Sequence, residues 1–140
     1  MVEDPKEIEK VRSNLAGWLA AFNEKNLEKL FSYYHLESLY ANANAPLLRG
    51  VAQIKPWYEN MLKTFSGTLE YQEEAAIQEG SLAMLLGAYF FRPPNGETVS
   101  VDPTTTGRVC LIYRKNERGN WKLIFDMDNN PPDIVPDQFD

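Results

Sequence analysis

The sequence predicts an α+β domain, with helices in its first half and a curved antiparallel sheet built mainly from its second half. Up to Phe65, apolar residues recur every three or four positions, which is the spacing of amphipathic helices. After Gly67, several runs alternate apolar and polar residues and are separated by Gly, Pro and Asn, which is typical of strands joined by turns. Because helices and strands are segregated along the chain, we expect three N-terminal helices to pack on one face of the sheet.

Each predicted helix has an apolar stripe and a start signal. The first covers about residues 5–24, with Asp4 as N-cap and Pro5 in the first turn. Asn26 can cap a short second helix, and Gly50 precedes the third. Pro56 is tolerated only near a helix start, so the third helix is predicted to begin at residue 53 or 54. The stripes contain Ile8, Val11, Leu15, Trp18, Leu19 and Phe22, then Leu27, Leu30, Phe31 and Tyr34, then Ile54, Trp57, Tyr58, Met61, Leu62 and Phe65.

One strand is predicted before the third helix and four after it. The first lies in LYANANAP, residues 39–46, and is expected to end at Pro46. The others are TLEYQEEAAIQEG, interrupted by a bulge or bend, SLAMLLGAYFFRP, GRVCLIYRK and NWKLIFDMDNN. PPNGETVSVDPTTTG is a loop between two of them, in which DPTTTG suggests a turn or a pocket rim. Residues 1–130 are therefore predicted to form a single domain, followed by a Pro/Asp-rich tail over residues 131–140 without regular structure.

Composition excludes several classes of protein. The chain has 140 residues and a formal net charge of −6, which argues against nucleic acid or an anionic membrane as partner. Cys110 is the only cysteine, so no intrachain disulfide can form. We find no phosphate loop, no nucleotide motif and no metal-ligand spacing, so no metal or other cofactor is predicted. No apolar run is long enough to span a bilayer and the N-terminus is charged, so the expected location is cytoplasmic.

The first strand carries an unusual set of polar residues. Tyr40, Asn42 and Asn44 alternate with alanines, so in a strand they share one face. Asparagine is a poor strand former, and two of them on one face need an explanation. The pattern fits either a solvated edge or the polar lining of a pocket.

The last strand separates its residues by type. Strict alternation puts an apolar set on one face, which suits a dimer contact or sheet packing, and an acidic set on the other. The acidic face must meet water or a cavity, because burying an unpaired carboxylate is costly. The apolar set is Trp121, Leu123, Phe125 and Met127, and the other set is Lys122, Ile124, Asp126 and Asp128.

Several stretches together resemble a known superfamily. They are WLAAFNEKNLEKLFSYY, LYANANAPLLRGVAQIKPWY and GRVCLIYRKNERGNWKLIFDMDN. In order, spacing and chain length they resemble the nuclear-transport-factor-2-like superfamily, in particular its SnoaL-like and ketosteroid-isomerase-like small proteins, over residues 8–130. The resemblance implies a cone-shaped, cystatin-like fold with a pocket between helices and sheet, and commonly a homodimer through the outer sheet face. The resemblance does not fix the function, because proteins with this fold catalyse many different reactions and some of them catalyse none.

The resemblance implies roles for three residues. In the epoxide-hydrolase branch, an aspartate matching Asp126 is catalytic, and residues matching Tyr40 and Asn42 hold the nucleophilic water. That branch also needs an arginine and an aspartate where this chain has Leu86 and Ala88. The isomerase branch needs an aspartate at the position of Asn42 and a tyrosine near Trp18. Asparagine takes up no proton at neutral pH, so classical ketosteroid isomerisation, with its aspartate base and tyrosine donor, is disfavoured.

The sequence therefore predicts an acid/base site in an apolar pocket. The expected catalytic residues are Asp126, as acid or base, with Tyr40 and Asn42 orienting water or a substrate oxygen. Whether the protein is an enzyme stays open; an isomerase, cyclase, dehydratase or epoxide-hydrolase type is favoured over a non-catalytic ligand-binding or assembly domain. Asp126 could equally be a structural carboxylate, and the aromatic residues could be plain core. The expected substrate-binding residues are Trp18, Phe22, Trp57, Tyr58, Met61, Phe90 and Asp128.

Overall fold

The computed structural model describes residues 1–94 and 105–140, and in this part of the chain three helices pack on one face of a six-stranded sheet. The predicted loop PPNGETVSVDPTTTG, between SLAMLLGAYFFRP and GRVCLIYRK, falls largely on residues 95–104, and these, with the first half of DPTTTG, lie outside the described residues. The helices are α1 (Pro5–Asn23), α2 (Leu27–Phe31) and α3 (Val51–Thr64). The strands are β1 (Tyr34–Ala41), β2 (Leu48–Arg49), β3 (Thr68–Glu79), β4 (Leu82–Arg92), β5 (Thr106–Lys115) and β6 (Trp121–Asn129).

The sheet is open, with β2 and β3 at its edges. Its order is β2-β1-β6-β5-β4-β3, and β3 to β6 form an antiparallel meander. The neighbouring strands β1 and β6 are parallel, which is allowed because α3 and the rest of the meander separate the two strands in sequence. This pairing sets Tyr40 of β1 directly beside Asp126 of β6. The α+β prediction, with three helices on a curved sheet, is confirmed.

The helix ends follow the sequence signals with two corrections. The Asp4 side chain accepts a hydrogen bond from the Lys6 N–H, and the Asn26 side chain accepts one from the Lys29 N–H. α3 begins at Val51 rather than at residue 53 or 54, so Pro56 lies in its second turn. Pro56 is on the exposed side of α3, where water can satisfy the carbonyl that lacks its partner. Tyr34, predicted to be helical, is the first residue of β1 because α2 ends at Phe31.

A β-bulge in β6 overturns the strict alternation predicted for this strand. Leu123 pairs with Tyr113 and Phe125 pairs with Ile112, so Ile124 is the extra residue. The bulge reverses the pleat, which puts Leu123 on the same face as Asp126 and leaves Met127 on the outer, exposed face. A second bulge, at Glu74 in β3, agrees with the predicted interruption of that strand.

β1 ends earlier than predicted. Its last residue is Ala41, and a turn follows in which the Ala45 N–H donates to the Asn42 carbonyl at 3.2 Å. Asn44 has a φ of 60°, a left-handed conformation that asparagine tolerates better than most residues. Asn42 and Asn44 therefore lie just beyond the strand rather than within it.

The C-terminal tail is anchored to the outer face of the sheet. A short 3-10 helix covers Pro136–Phe139, and Ile134 is buried. Phe139 packs on Phe90 with ring centroids 5.5 Å apart, and the Thr106 hydroxyl donates to the Ile134 carbonyl at 3.0 Å. The expectation of a tail without regular structure is therefore wrong. The tail is held because its apolar residues Ile134 and Phe139 are packed on the outer face of the sheet.

The helices give no sign of a membrane span. In the described ranges 1–94 and 105–140, no helix has the length and apolarity that crossing a bilayer demands.

Candidate active site

A cavity of about 720 Å³ lies between the helices and the inner face of the sheet. α1 and α3 supply its aromatic wall, and the strands supply tyrosines and two carboxylates. The residues that line it include Trp18, Phe22, Tyr40, Asn42, Trp57, Tyr58, Met61, Phe91, Asp126 and Asp128. The volume is in the range of sites that bind small molecules.

Asp126 is a buried carboxyl group that faces this cavity. Its side chain lines the cavity although the residue is only 6% exposed. No described residue donates a hydrogen bond to the carboxyl group or forms a salt bridge with it. Burial, and next the negative charge of Asp128, raise the pKa of Asp126 well above its usual value. The free protein therefore holds this group as a neutral acid at pH values where an exposed aspartate is ionised.

Asp128 lies two residues further along β6 and is bound to the protein itself. Its carboxylate accepts hydrogen bonds from the Ala43 N–H at 2.7 Å and from the Tyr89 hydroxyl at 2.9 Å. Burial raises the pKa of Asp128, and these two hydrogen bonds oppose that effect. Asn130 continues the network with its side-chain amide, which donates to the Tyr89 hydroxyl and the Thr106 carbonyl. Asp128 thus fixes the turn after β1 to the sheet.

Three tyrosines, Tyr34, Tyr40 and Tyr58, are buried near Asp126. The indole N–H of Trp18 donates to the Tyr34 hydroxyl at 3.0 Å. The ring of Tyr58 stacks on that of Tyr40, with centroids 5.6 Å apart. Burial, and next the charge of a neighbouring acid, raise the pKa values of Tyr34 and Tyr40. These phenols therefore stay neutral over the ordinary range of pH.

The structure brings together the three residues predicted to be catalytic. Asp126, Tyr40 and Asn42 all line the cavity, and Tyr40 is the strand neighbour of Asp126. Asn44 reaches the cavity as well, although it is exposed. The polar residues of LYANANAP therefore line a pocket rather than form a solvated edge.

One predicted substrate-binding residue lies elsewhere. Trp18, Phe22, Trp57, Tyr58, Met61 and Asp128 line the cavity as expected. Phe90, predicted with them, is on the outer face of β4, against Phe139 and the Arg92 guanidinium. Its neighbour Phe91 lines the cavity instead, because side chains alternate along a strand and two consecutive phenylalanines conceal which one faces inward.

Residues of β3, β4 and β5 complete the site and were not identified from the sequence. The cavity is also lined by Tyr71, Tyr89, Val109, Leu111 and Tyr113. Gly87 and Gly107 make room for two of these rings, because a Cβ atom at either position would overlap Tyr71 or Tyr89. Gly107 is the direct strand partner of Tyr89, whereas Gly87 pairs with Glu73 and lies diagonally from Tyr71. Glycines within predicted strands were therefore the available signal in the sequence.

The inward-facing positions of β4 carry no charge. Leu86 and Ala88, which stand where the epoxide-hydrolase branch requires arginine and aspartate, pair with Cys110 and Arg108 and alternate with the cavity residue Tyr89. They therefore belong to the outer face. The arginine and second aspartate of that branch are missing from this part of the site.

Comparison with protein families identifies the chain. The model of the SnoaL-like domain matches residues 15–124, so the chain belongs to the SnoaL-like family. A search among curated protein sequences gives no significant match.

Solved structures support the same fold. An NTF2-like protein of unknown function from Pseudomonas putida superposes with a TM-score of 0.73 at 17% identity, covering 88% of this chain and 85% of that one. A protein with a cystatin-like fold from Nostoc punctiforme gives 0.77 at 13% identity, with 97% and 83% covered. A ketosteroid isomerase-like protein from Erwinia carotovora atroseptica gives 0.69 at 14% identity, with 89% and 96% covered. At these identities the similarity extends to the fold alone.

Proposed function

We propose that this protein is a cofactor-free acid/base enzyme for a small hydrophobic molecule and that Asp126 transfers the proton. The observation that carries the proposal is the Asp126 carboxyl group itself. It is buried, lines the cavity and has no donor or cation among the described residues. A buried acid without partners costs stability, and such groups cluster at functional sites.

The raised pKa suits proton transfer near neutral pH. A carboxyl group whose pKa approaches the working pH can donate a proton to a substrate oxygen and, once ionised, remove one from carbon. Tyr40 and Asn42 lie beside it and can orient water or a substrate oxygen. Isomerisation, ring closure, dehydration and epoxide opening all need such a step. General acid/base catalysis of this kind contributes about 10²- to 10⁴-fold in rate.

Two features argue against the alternatives. An assembly domain would fill the space between helices and sheet with large side chains, whereas a cavity of about 720 Å³ lies there. A non-catalytic binding protein would hold its carboxylates with fixed donors, and only Asp128 is held in this way. Classical ketosteroid isomerisation stays disfavoured because Asn42 occupies the position of the base.

Isotope exchange tests this proposal with a panel of compounds rather than a single substrate. We would incubate the protein with hydrophobic ketones, hydroxyketones and epoxides in D₂O and in H₂¹⁸O, and measure label incorporation by mass spectrometry. The wild-type protein should label at least one class, and Asp126→Asn should lower that rate by about 100-fold or more.

Two control variants make the result specific. Glu59→Gln removes an exposed acid of α3 that lies outside the cavity and should leave labelling unchanged. Tyr40→Phe keeps the ring and removes the hydroxyl, so it should lower the rate by less than Asp126→Asn does. Equal labelling by wild type and Asp126→Asn would refute the catalytic role. Ligand binding without any labelling would favour the non-catalytic binding protein.

A further inference from the structure

We infer that the cavity takes a hydrophobic organic cation, such as an amine or an iminium, whose positive charge rests against Asp126. The inference rests on the proposed role of the Asp126 cavity and names the chemical class of its ligand. It is carried by the charges that line the cavity, by the hydrogen bonds already made there, and by the aromatic wall around the acid.

The described residues that line the cavity include two carboxylic acids. Asp126 and Asp128 are its two ionisable acids, and the described residues that line the cavity include no lysine, arginine or histidine. The arginines that form salt bridges, Arg12, Arg92 and Arg108, pair with surface carboxylates. A ligand carrying a carboxylate or phosphate would bring its negative charge beside the Asp128 carboxylate, and the described lining offers it no cation. Like charges in such a low-dielectric site repel each other.

Of the two acids that line the cavity, Asp126 receives no hydrogen bond from the described residues, whereas Asp128 receives two. The Tyr89 hydroxyl donates to Asp128, whereas the buried Tyr71 hydroxyl, which also lines the cavity, has no hydrogen-bond partner among the described residues. The Asp126 carboxyl group has no donor from the described residues, although each of its oxygens can accept one or two hydrogen bonds. A ligand ammonium beside Asp126 favours the ionised form of this carboxyl group, which is neutral in the free protein, and gives the resulting carboxylate a donor and a counter-charge.

Aromatic rings surround this acid and favour a cation over a strongly hydrated polar group. The rings of Tyr40 and Tyr58 stack at 5.6 Å, and Trp57 meets each of them edge-on at 5.1 and 5.0 Å. Trp18 meets Tyr58 at 5.8 Å from the side of α1. Tryptophan and tyrosine attract cations through their π faces, and this attraction strengthens when the cation is desolvated. An acid set among such rings combines ion pairing with cation–π contact.

A matched set of probes separates charge from hydrophobicity. Naphthylmethylamine, naphthylmethanol and naphthoate share one ring system and carry a positive, a neutral and a negative group at pH 7. We would measure their Kd values by isothermal titration calorimetry with the wild-type protein, Asp126→Asn and Glu59→Gln. Glu59→Gln removes one negative charge from the surface of α3, away from the cavity, and so controls for net charge.

The wild-type protein should bind the amine about tenfold or more tighter than the alcohol and should bind naphthoate least. Asp126→Asn should lower the affinity for the amine to that for the alcohol. Glu59→Gln should bind the amine more tightly than the alcohol, as the wild-type protein does. Equal affinity for amine and alcohol, tighter binding of naphthoate, or no binding of the amine to wild type would overturn the inference. Those results would leave isotope exchange at Asp126 intact, while an amine preference without exchange would refute only the catalytic role.

Discussion

At the scale of single residues, Asp126 and Asp128 show how two acids two positions apart acquire different roles. Both are partly or fully removed from water, and the difference lies in their hydrogen bonds. Asp128 accepts from Ala43 and Tyr89, whereas Asp126 accepts from none of the described residues. Environment rather than residue type therefore separates the structural carboxylate from the proposed chemical one.

The lone acid should cost stability in a pH-dependent way. The pKa of Asp126 is higher in the folded protein than in the unfolded chain, so this residue ionises at lower pH in the unfolded chain. The contribution of Asp126 to the free energy of unfolding therefore falls as the pH rises above about 4. Asp126→Asn removes that loss and should be more stable than wild type at pH 7 by about 1–3 kcal/mol. Urea denaturation between pH 4 and 8 measures the difference.

The advantage of Asp126→Asn should shrink as pH approaches about 4, where both states of the wild type become protonated. Asp137→Asn, at an exposed position of the tail, should change the free energy of unfolding by less than about 0.5 kcal/mol. A variant that is less stable than wild type at pH 7 would contradict the assignment of Asp126 as an unpaired buried acid.

Asp128 should behave in the opposite way when it loses a donor. Tyr89→Phe deletes the hydroxyl that donates to Asp128 at 2.9 Å, and it should lower the free energy of unfolding at pH 7 by about 1–3 kcal/mol. Tyr33→Phe is the matched control, since the Tyr33 hydroxyl has no hydrogen-bond partner in residues 1–94 and 105–140. Equal urea midpoints for the two variants would show that the Tyr89–Asp128 bond contributes nothing.

At the scale of secondary-structure elements, the helices and most strands were predictable and the register of the site was not. Asp4, Pro5 and Asn26 mark helix starts by chemistry that depends on neighbours in sequence. The bulge at Ile124 has no comparable signal in the sequence. Leu123, Ile124 and Phe125 are all apolar, so each of them can face either side of the sheet. The pairing of β6 with β5 decides which residue is left over. Asp126 was correctly expected to face a cavity, but its inward neighbour is Leu123 rather than Ile124.

The same reasoning explains the error at Phe90. When every residue of a strand is apolar, the sequence alone does not show which residues face inward. Both faces of β4 are buried near its end, so neither side is distinguished by polar residues. The cavity lies on one side at Phe91, and the tail lies on the other at Phe90. Two consecutive phenylalanines do not reveal which ring faces the cavity and which faces the tail.

The tail should contribute to the stability of the sheet. Deleting residues 131–140 exposes Phe90, removes the buried Ile134 and breaks its hydrogen bond with Thr106. We expect the free energy of unfolding to fall by about 2–4 kcal/mol, as for burial of two apolar side chains. Arg108→Gln breaks the partly exposed pairs with Glu74 and Asp133 and should cost less than about 1 kcal/mol. A truncated protein as stable as the full chain would contradict the anchoring.

At the scale of the whole molecule, the two faces of the sheet have different environments. The inner face encloses the cavity. The outer face carries the tail at one end and partly exposed apolar residues at the other, including Ile112, Phe125 and Met127, the last of which is 52% exposed. Large apolar side chains that cluster on a surface favour association.

We propose that the protein forms a homodimer through this outer face. Light scattering after size-exclusion chromatography should then give twice the mass of one chain for the wild type. Met127→Lys should shift the population towards the monomer, because a lysine there must be desolvated on association. Leu47→Lys, an exposed substitution in the turn before β2, is the matched control and should leave the mass unchanged. A monomeric wild type would rule this proposal out.

The proposed chemistry depends on Asp126 being a neutral acid within the cavity, and the titration of this one group is its most direct test. The carboxyl ¹³C shift of Asp126, assigned by comparison with Asp126→Asn, should be followed by NMR as pH is varied. We expect a midpoint well above the usual range of aspartate, because burial and the charge of Asp128 both raise the pKa. A midpoint within or below that range would show that the carboxylate is solvated or paired, and the proposed acid/base role would fall with it.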